Sequence, residues 1–268
     1  MPGNVWFIAG ASSGFGRAIA LEALARGDRV AAASRDPSRM TSLEDAGAMT
    51  LELDVTGSDA VIADAMQKAV DAYGPITHCV NSAGYLLEGV IEAASQEEVR
   101  RIMETNVLGT INVARCALRI MRPQRSGSTT KWAVSGFTES LHRECRPLGI
   151  AAVVIEPGYF RTEVLNEGGG HRLLTREQLL PEYEGAGLAA QKAAIARMDG
   201  SQPGDVGKGA RAVVDVLTRS GAGLGREIPV RLVLGRDAVR GVGDKLRATE
   251  ALLREWAGVS VGTDRDSR

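Results

Sequence analysis

Gly10, Gly14 and Gly16 stand in a G-x-x-x-G-x-G run, with Ser12, Ser13 and Phe15 between them. The run follows a short apolar stretch, residues 5–9 (VWFIA), and opens a helical one. A glycine-rich turn at the start of a helix lets backbone approach a pyrophosphate. That anion then meets free N–H groups and the positive end of the helix dipole. The spacing differs from the G-x-G-x-x-G of the commonest dinucleotide fingerprint. About twenty residues further on, where an acid would accept from a ribose 2′-hydroxyl, the chain has Ser34-Arg35. A cation there accommodates a 2′-phosphate, so Arg35 points to NADP before NAD. Asp54 closes the third apolar stretch, and Asn81, followed by Ala83 and Gly84, closes the fourth. Both lie at strand ends, where open α/β sheets take their ligands.

The elements that must position these residues alternate. Strands are expected at residues 5–9, 29–33, 50–53, 76–80, 150–155 and 228–234. Helices are expected at residues 15–26, 58–73, 96–121, 132–146 and 205–219, with a shorter one from Asp36-Pro37 through Leu43. In the helix over 58–73, Val61, Ala65, Met66 and Val70 are expected to face inward. In the long helix over 96–121, Val99, Ile102, Met103, Val107, Ile111 and Leu118 keep helical spacing. Strands alternating with helices predict an α/β fold, a Rossmann-type doubly wound parallel sheet in one domain over residues 1–268. The tail from residue 259 is polar and expected to fray.

The alternation fails once. Residues 122–131 (RPQRSGSTTK) separate two helices where a strand is due. The segment holds Pro, Arg, Gln, Ser, Thr and Gly with no Val, Ile, Leu or Phe, which is loop composition. One central strand is therefore expected to be deleted.

Composition sets the class. The chain has 268 residues with a net charge of −1, and its cations are spread along the chain, which argues against a nucleic-acid surface or a polybasic patch. No apolar run reaches the roughly eighteen residues that would suggest a bilayer span. The start lacks a basic segment followed by a long apolar one, so a secretory signal is not expected. Cys79, Cys116 and Cys145 are widely spaced in apolar contexts, as buried free thiols of a cytoplasmic protein would be. No Cys/His cluster has metal-ligand spacing, and no metal is expected.

The set GASSGFG, LDVT (Leu53 to Thr56), NSAG, TNVLG (Thr105 to Gly109), KWAVSGFTESL (Lys131 to Leu141) and Pro157, Gly158 and Thr162 resembles the short-chain dehydrogenase/reductase family. The resemblance implies a Rossmann-type fold and hydride transfer between a nicotinamide cofactor and an alcohol or carbonyl. It implies a cofactor site made of Gly10, Ser12, Ser13, Gly14, Phe15, Gly16, Arg35, Asp54, Asn81, Ala83, Gly84, Lys131, Pro157, Gly158 and Thr162. It also implies a catalytic Asn-Ser-Tyr-Lys set. There the tyrosine exchanges a proton with substrate, and the lysine cation lowers a phenol pKa otherwise near 10. Asn106 matches the asparagine and Lys131 the lysine. The tyrosine should precede the lysine by one helical turn, and that place holds Gly127. The serine should end the missing strand. Asn106 and Lys131 stand closer together than the family's spacing, by about one strand with its loops.

Other hydroxyls do not replace the tyrosine. Tyr85 and Tyr159 read as packing at the cleft rim. Ser126, Ser128, Thr129 and Thr130 carry poor general acids. His78, His142 and His171 have no partner spacing and read as structural. Three readings stay open: an NADP-dependent oxidoreductase gene whose product here is mis-spliced or wrongly joined, a non-catalytic NADP(H)-binding protein, or a chain that folds poorly. In each, little or no dehydrogenase activity is expected. Residues 159–201 would form a substrate lid, and Leu165, Leu173, Leu174, Leu179 and Leu180 suggest a small apolar alcohol or carbonyl. Self-association through the helices flanking the gap would suit such a fold.

Overall fold

Val5–Ala9 forms β1, buried at every residue, and its side chains alternate between two apolar layers. Val5, Phe7 and Ala9 enter one layer; Trp6 and Ile8 enter the other. A strand covered on both faces has no polar side to offer, which is why its sequence reads as a continuous apolar run. The computed structural model describes residues 3–88, 91–124, 127–131, 135–165, 172–174 and 197–263.

After β1 come α1 (Gly14–Ala25), β2 (Arg29–Ser34), a 3₁₀ turn (Pro37–Met40), α2 (Thr41–Asp45), β3 (Met49–Glu52), α3 (Asp59–Tyr73) and β4 (His78–Asn81). A short β5 (Leu86–Glu88) precedes α4 (Gln96–Met103), a π turn (Glu104–Leu108) and α5 (Gly109–Met121). Then follow β6 (Gly127–Lys131), α6 (Ser135–Cys145), β7 (Ile150–Pro157), β8 (Arg172–Leu174), α7 (Val206–Leu217), β9 (Arg231–Leu234), α8 (Arg236–Glu255) and α9 (Ala257–Val261). Seven strands make one parallel sheet in the order β3-β2-β1-β4-β6-β7-β9, and β5 pairs with β8 apart from it. Helices α3 and α5 cover one face, and α1 and α7 the other. The order reverses between β1 and β4, which is the switch point where such sheets open a crevice.

The central strand slot, expected to be empty, is filled. Gly127–Lys131 occupies the central slot, pairing with β4 from His78↔Ser128 to Asn81↔Lys131 and with β7 from Gly127↔Ile150 to Thr130↔Val153. The physical reason lies in the neighbours. Without β6, the facing edges of β4 and β7 would leave two rows of buried N–H and C=O groups unpaired. Any extended backbone can satisfy them, and Thr129 and Thr130 are β-branched. Composition misled because it judges side chains, whereas the slot selects for backbone. Lys131 thereby becomes the last residue of a strand. The expected helix over 132–146 is seen as Ser135–Cys145, and residues 132–134 lie outside the described residues.

Two helix readings also change. In α3 the buried face is Ile62, Ala65, Met66 and Ala69, and Val61 is 51% exposed. Val61 lies one residue, or 100°, off the i, i+3, i+4, i+7 set that begins at Ile62. The long helix over 96–121 is interrupted by the π turn. That turn rotates the two halves against each other, so α5 buries seven residues while α4 buries none. Val99 and Met103 are accordingly exposed. The tail continues as helix α9 beyond the point where fraying was expected.

Candidate active site

The residues singled out by type gather along one edge of the sheet. Ala9, Asn81 and Lys131 are aligned rungs at the carboxyl ends of β1, β4 and β6. Ser34 ends β2 and Arg35 follows it, Asp54 follows β3, and Pro157 ends β7. That is the edge where open α/β sheets bind ligands.

The glycine turn is shaped by absence of side chains. Gly10 has φ +76°, and a Cβ built on it would stand 2.6 Å from the Ala83 Cα. A Cβ on Gly16 would stand 2.9 Å from the Gly10 carbonyl carbon. The turn after β1 is therefore pressed against the turn after β4, and its helix against the turn itself. Gly10 and Ala11 both donate backbone N–H to the Ala33 carbonyl, at 2.8 and 3.1 Å. Ser13 is the extended N-cap of α1, and no acidic residue sits in the first turn to compete for an anion. Arg17 donates to the Ser12 carbonyl, holding the turn from outside.

Phe15 is turned away from the edge. Its ring meets Phe160 edge-on at 5.0 Å, and both rings press on Gly209. Only its backbone belongs to the turn. Arg35 is exposed, and no ion pair holds it among the described residues. The neighbouring acid Asp36 is already engaged. Its Oδ1 accepts from the Ser38 N–H at 3.1 Å and the Ser38 hydroxyl at 2.6 Å, capping the 3₁₀ turn. Asp54 is engaged likewise, its Oδ1 accepting from Thr56 N–H at 2.9 Å and Thr56 Oγ1 at 2.8 Å.

Asn81 and Asn106 belong to one chain of hydrogen bonds. Asn81 is buried; its Oδ1 accepts from the Ala83 N–H at 3.0 Å and its Nδ2 donates to Thr110 Oγ1 at 3.4 Å. Thr110 Oγ1 donates in turn to the Asn106 carbonyl at 2.7 Å. Asn106 sits in the π turn, and its amide grips the backbone of Tyr85, accepting from N–H at 3.2 Å and donating to C=O at 2.9 Å. Gly84 is small for the same reason, since a Cβ there would stand 3.0 Å from Asn106 Oδ1. π turns inside helices cluster at functional sites because they re-aim a side chain. Burial pushes the Tyr85 phenol above its ordinary value, against the opposing pull of Arg101 and Arg35.

On the far side, Gly158 lies against Asp237, whose carboxylate accepts from the Tyr159 N–H at 2.6 Å. Thr162 faces Gly14, at 3.6 Å from a Cβ built there, and its Oγ1 accepts from the Val164 N–H at 3.4 Å. A cleft of about 440 Å³ opens between Gly14, Arg17, Arg161, Thr162, Glu163 and Val206. It runs along the outer side of α1, and none of Asn81, Asn106 or Lys131 lines it. The cysteines are buried and free, and burial pushes Cys79 up to about 12. His78 is stacked on Trp6 in the core, and His142 bonds the Ala152 carbonyl. Tyr159 is exposed. His171, Leu179 and Leu180 lie outside the described residues, as does most of the expected lid.

Sequence reasoning missed Thr110 and Asp237. Thr110 was detectable, since it stands one helical turn after Asn106 as a polar residue on a buried face. Asp237 was not, because its partner lies 78 residues away in sequence.

The chain as a whole has parallels among known proteins. The chain is 33% identical to a crystallised short-chain dehydrogenase from Streptomyces avermitilis, with a TM-score of 0.84 over 98% of this chain and 100% of that one. It is 31% identical to the oxidoreductase calM of Penicillium decumbens, over 90% of this chain and 87% of that protein. It is 29% identical to the oxidoreductase BOA17 of Botryotinia fuckeliana, over 97% of this chain and 99% of that one. That last alignment spans 284 positions, more than the 268 residues of this chain. The family model described as short chain dehydrogenase matches residues 4–129 and 128–171, two stretches that meet inside β6. A glycine turn at the switch point, an asparagine in a π turn and matches of this extent have one reading: the chain belongs to the short-chain dehydrogenase family of oxidoreductases.

Proposed function

We propose that this chain is a single-domain, NADP(H)-binding member of its family, and that hydride transfer between an alcohol and a carbonyl is crippled in it. The observation that carries the reading is the contrast between two ends of one edge. The turn at Gly10 and Gly16 is a cradle that a Cβ would fill, fitted to a dinucleotide pyrophosphate. Gly10, Ser12, Ser13, Gly14, Phe15 and Gly16 would hold that group mainly by backbone. Arg35 favours NADP because its charge is uncommitted, while the Oδ1 of Asp36, the nearest acid, is taken up by Ser38. Asp54, Asn81, Ala83 and Gly84 would line the adenosine half, and Lys131, Pro157, Gly158 and Thr162 the nicotinamide half. When bound, the cofactor supplies or accepts the hydride.

The catalytic end lacks its partner. Lys131 and residue 127 share a strand, and four residues along a strand span about 13 Å. Four residues along a helix bring side chains within about 6 Å. The lysine has thus left the geometry in which it could lower a tyrosine pKa, and position 127 holds glycine. Asn106 is the retained member, positioned by Thr110 and Tyr85. The substrate class is a small apolar alcohol or carbonyl, and the setting a reducing cytoplasm. The purified 268-residue protein should enhance NADPH fluorescence on binding and prefer NADPH to NADH. It should oxidise no NADPH across a panel of apolar carbonyls. Absence of binding overturns the cofactor half; turnover that Lys131→Ala abolishes overturns the catalytic half.

A second reading is favoured by the longer alignment with the Botryotinia oxidoreductase. The gene would also yield a longer, active form with extra residues inserted near Ser128 to Lys131. Reads spanning that junction decide it: a single continuous transcript with no longer form rejects this reading.

A further inference from the structure

Helix α8 leaves the body of the protein soon after it starts. From Asp244 through Thr263 every residue is exposed, covering the last three turns of α8 and all of α9. Yet the helix is strongly two-sided. Val239, Val242, Leu246, Leu253 and Trp256 follow one another at steps of three, four, seven and three residues and form one stripe, interrupted by Thr249, with Leu252 beside it. Leu246 and Leu253 are 64% and 67% exposed. A helical segment as short as these three exposed turns is marginal alone in water, and helix stability in proteins comes mostly from packing an apolar face. A stripe that repeats at heptad steps is the pattern of a helix that packs along another helix.

Charge selects the occupant. Arg240 and Arg247 share Asp244, and Arg254 pairs with Glu250, so the polar face mixes charges of both signs. That is unlike the basic face of helices that lie on anionic membranes. What remains is an asymmetry along the axis. The stretch from Arg236 to Arg247 carries four cations and two acids; the stretch from Glu250 to Glu255 carries one cation and two acids. Two copies laid antiparallel set the basic half of each against the acidic half of the other. The same arrangement opposes their helix dipoles.

We infer that α8 is a homodimerisation element, pairing antiparallel with α8 of a second copy through Val239, Val242, Leu246, Leu253 and Trp256. The exposed half of the stripe, from Leu246 to Trp256, lies beyond the first turn of α8, where Asp237 holds the Tyr159 N–H at the dinucleotide edge.

Sedimentation analysis of the full chain over 1–100 µM, at low salt, tests the inference. A concentration-dependent dimer is expected for wild type, and Leu246→Glu/Leu253→Glu should be monomeric with an unchanged thermal midpoint at low protein concentration. Leu224→Glu, an exposed site elsewhere, should stay dimeric. Arg240→Glu/Lys245→Glu and Glu250→Lys/Glu255→Lys should each weaken the dimer at least tenfold, and an equimolar mixture of the two should restore it. A monomeric wild type at 100 µM overturns the proposal, whether or not the protein pellets with neutral or anionic vesicles. So does a dimer that survives the leucine substitutions, or charge variants that dimerise as wild type does.

Discussion

The side chain of Asn106 grips the backbone of Tyr85 at both ends, accepting from its N–H and donating to its C=O. The π turn after α4 is thereby fastened to the turn after β4. Asn106→Ala should cost about 1–3 kcal/mol, the penalty for leaving two part-buried backbone groups unpaired. Asn106→Asp keeps an acceptor but sets a carboxylate against the Tyr85 carbonyl. It should be at least as destabilised at pH 7 and recover as the acid is protonated. Urea unfolding at pH 7 and pH 4.5 checks both, each against wild type at the same pH.

Gly10→Ala forces a Cβ into the Ala83 backbone at a residue with positive φ. The expected loss is at least about 2 kcal/mol, a fall of some 4–8 °C in Tm for a chain of this size. NADPH binding should be lost with it, because the two turns can no longer close together. Gly47→Ala, also at positive φ but with nothing within 4 Å, supplies the strain-only control.

Arg35→Ala should weaken NADPH binding by about 10–100-fold, the worth of a charge-assisted hydrogen bond. NADH binding should be nearly unchanged. Paired fluorescence titrations read the ratio directly, and equal losses for both cofactors would place Arg35 outside the 2′-phosphate site.

His78 is buried between Trp6 and the Leu217 carbonyl, and burial lowers its pKa to about 4. The unfolded chain takes up this proton near pH 6.5, well before the folded one does. Stability from a neutral His78 is therefore complete above about pH 6.5 and lost progressively as pH falls toward 4. The total is on the order of 3 kcal/mol. His78→Phe should keep the stacking and flatten this part of the pH profile, at the cost of the bonds to Thr77 and Leu217. Denaturant midpoints between pH 7.5 and pH 4 measure the slope.

Gly127→Tyr restores the family's residue pattern without restoring its geometry. On a strand the new phenol lies about 13 Å along the backbone from Lys131, so no carbonyl reduction should appear. NADPH-consumption assays on this variant separate a missing residue from a misplaced one. Turnover rescued by the single substitution would show that Lys131 reaches position 127.

Much of this was legible in the chain, and for identifiable reasons. β1, β2 and β7 are buried on both faces, and their apolar runs state that plainly. Gly10, Asn81 and Asn106 were found because close backbone approach and hydrogen-bond fastening demand particular residue types. β6 was illegible, because its slot is filled by backbone pairing with His78 to Asn81 and Ile150 to Val153, to which Ser128 and Thr129 contribute no apolar signature. The π turn was illegible because one extra residue in a helix leaves periodicity nearly intact while rotating everything after it. Asp237 on Gly158 is a meeting of distant segments that no local pattern encodes.

β6 also decides where this sheet opens first. In most parallel sheets the middle strand exchanges its amide hydrogens last, since large apolar side chains clamp it from both faces. Here the fifth strand is Gly-Ser-Thr-Thr-Lys, whose sequence supplies no large apolar side chain to that clamp. Sub-global opening should therefore start at the centre and release β7, β9 and the helices beyond as one cooperative unit. The half from β1 to β4, with the glycine turn, would stay protected. In amide exchange the molecule would split between Asn81 and Ile150, so the dinucleotide half could outlast the catalytic half under denaturing stress.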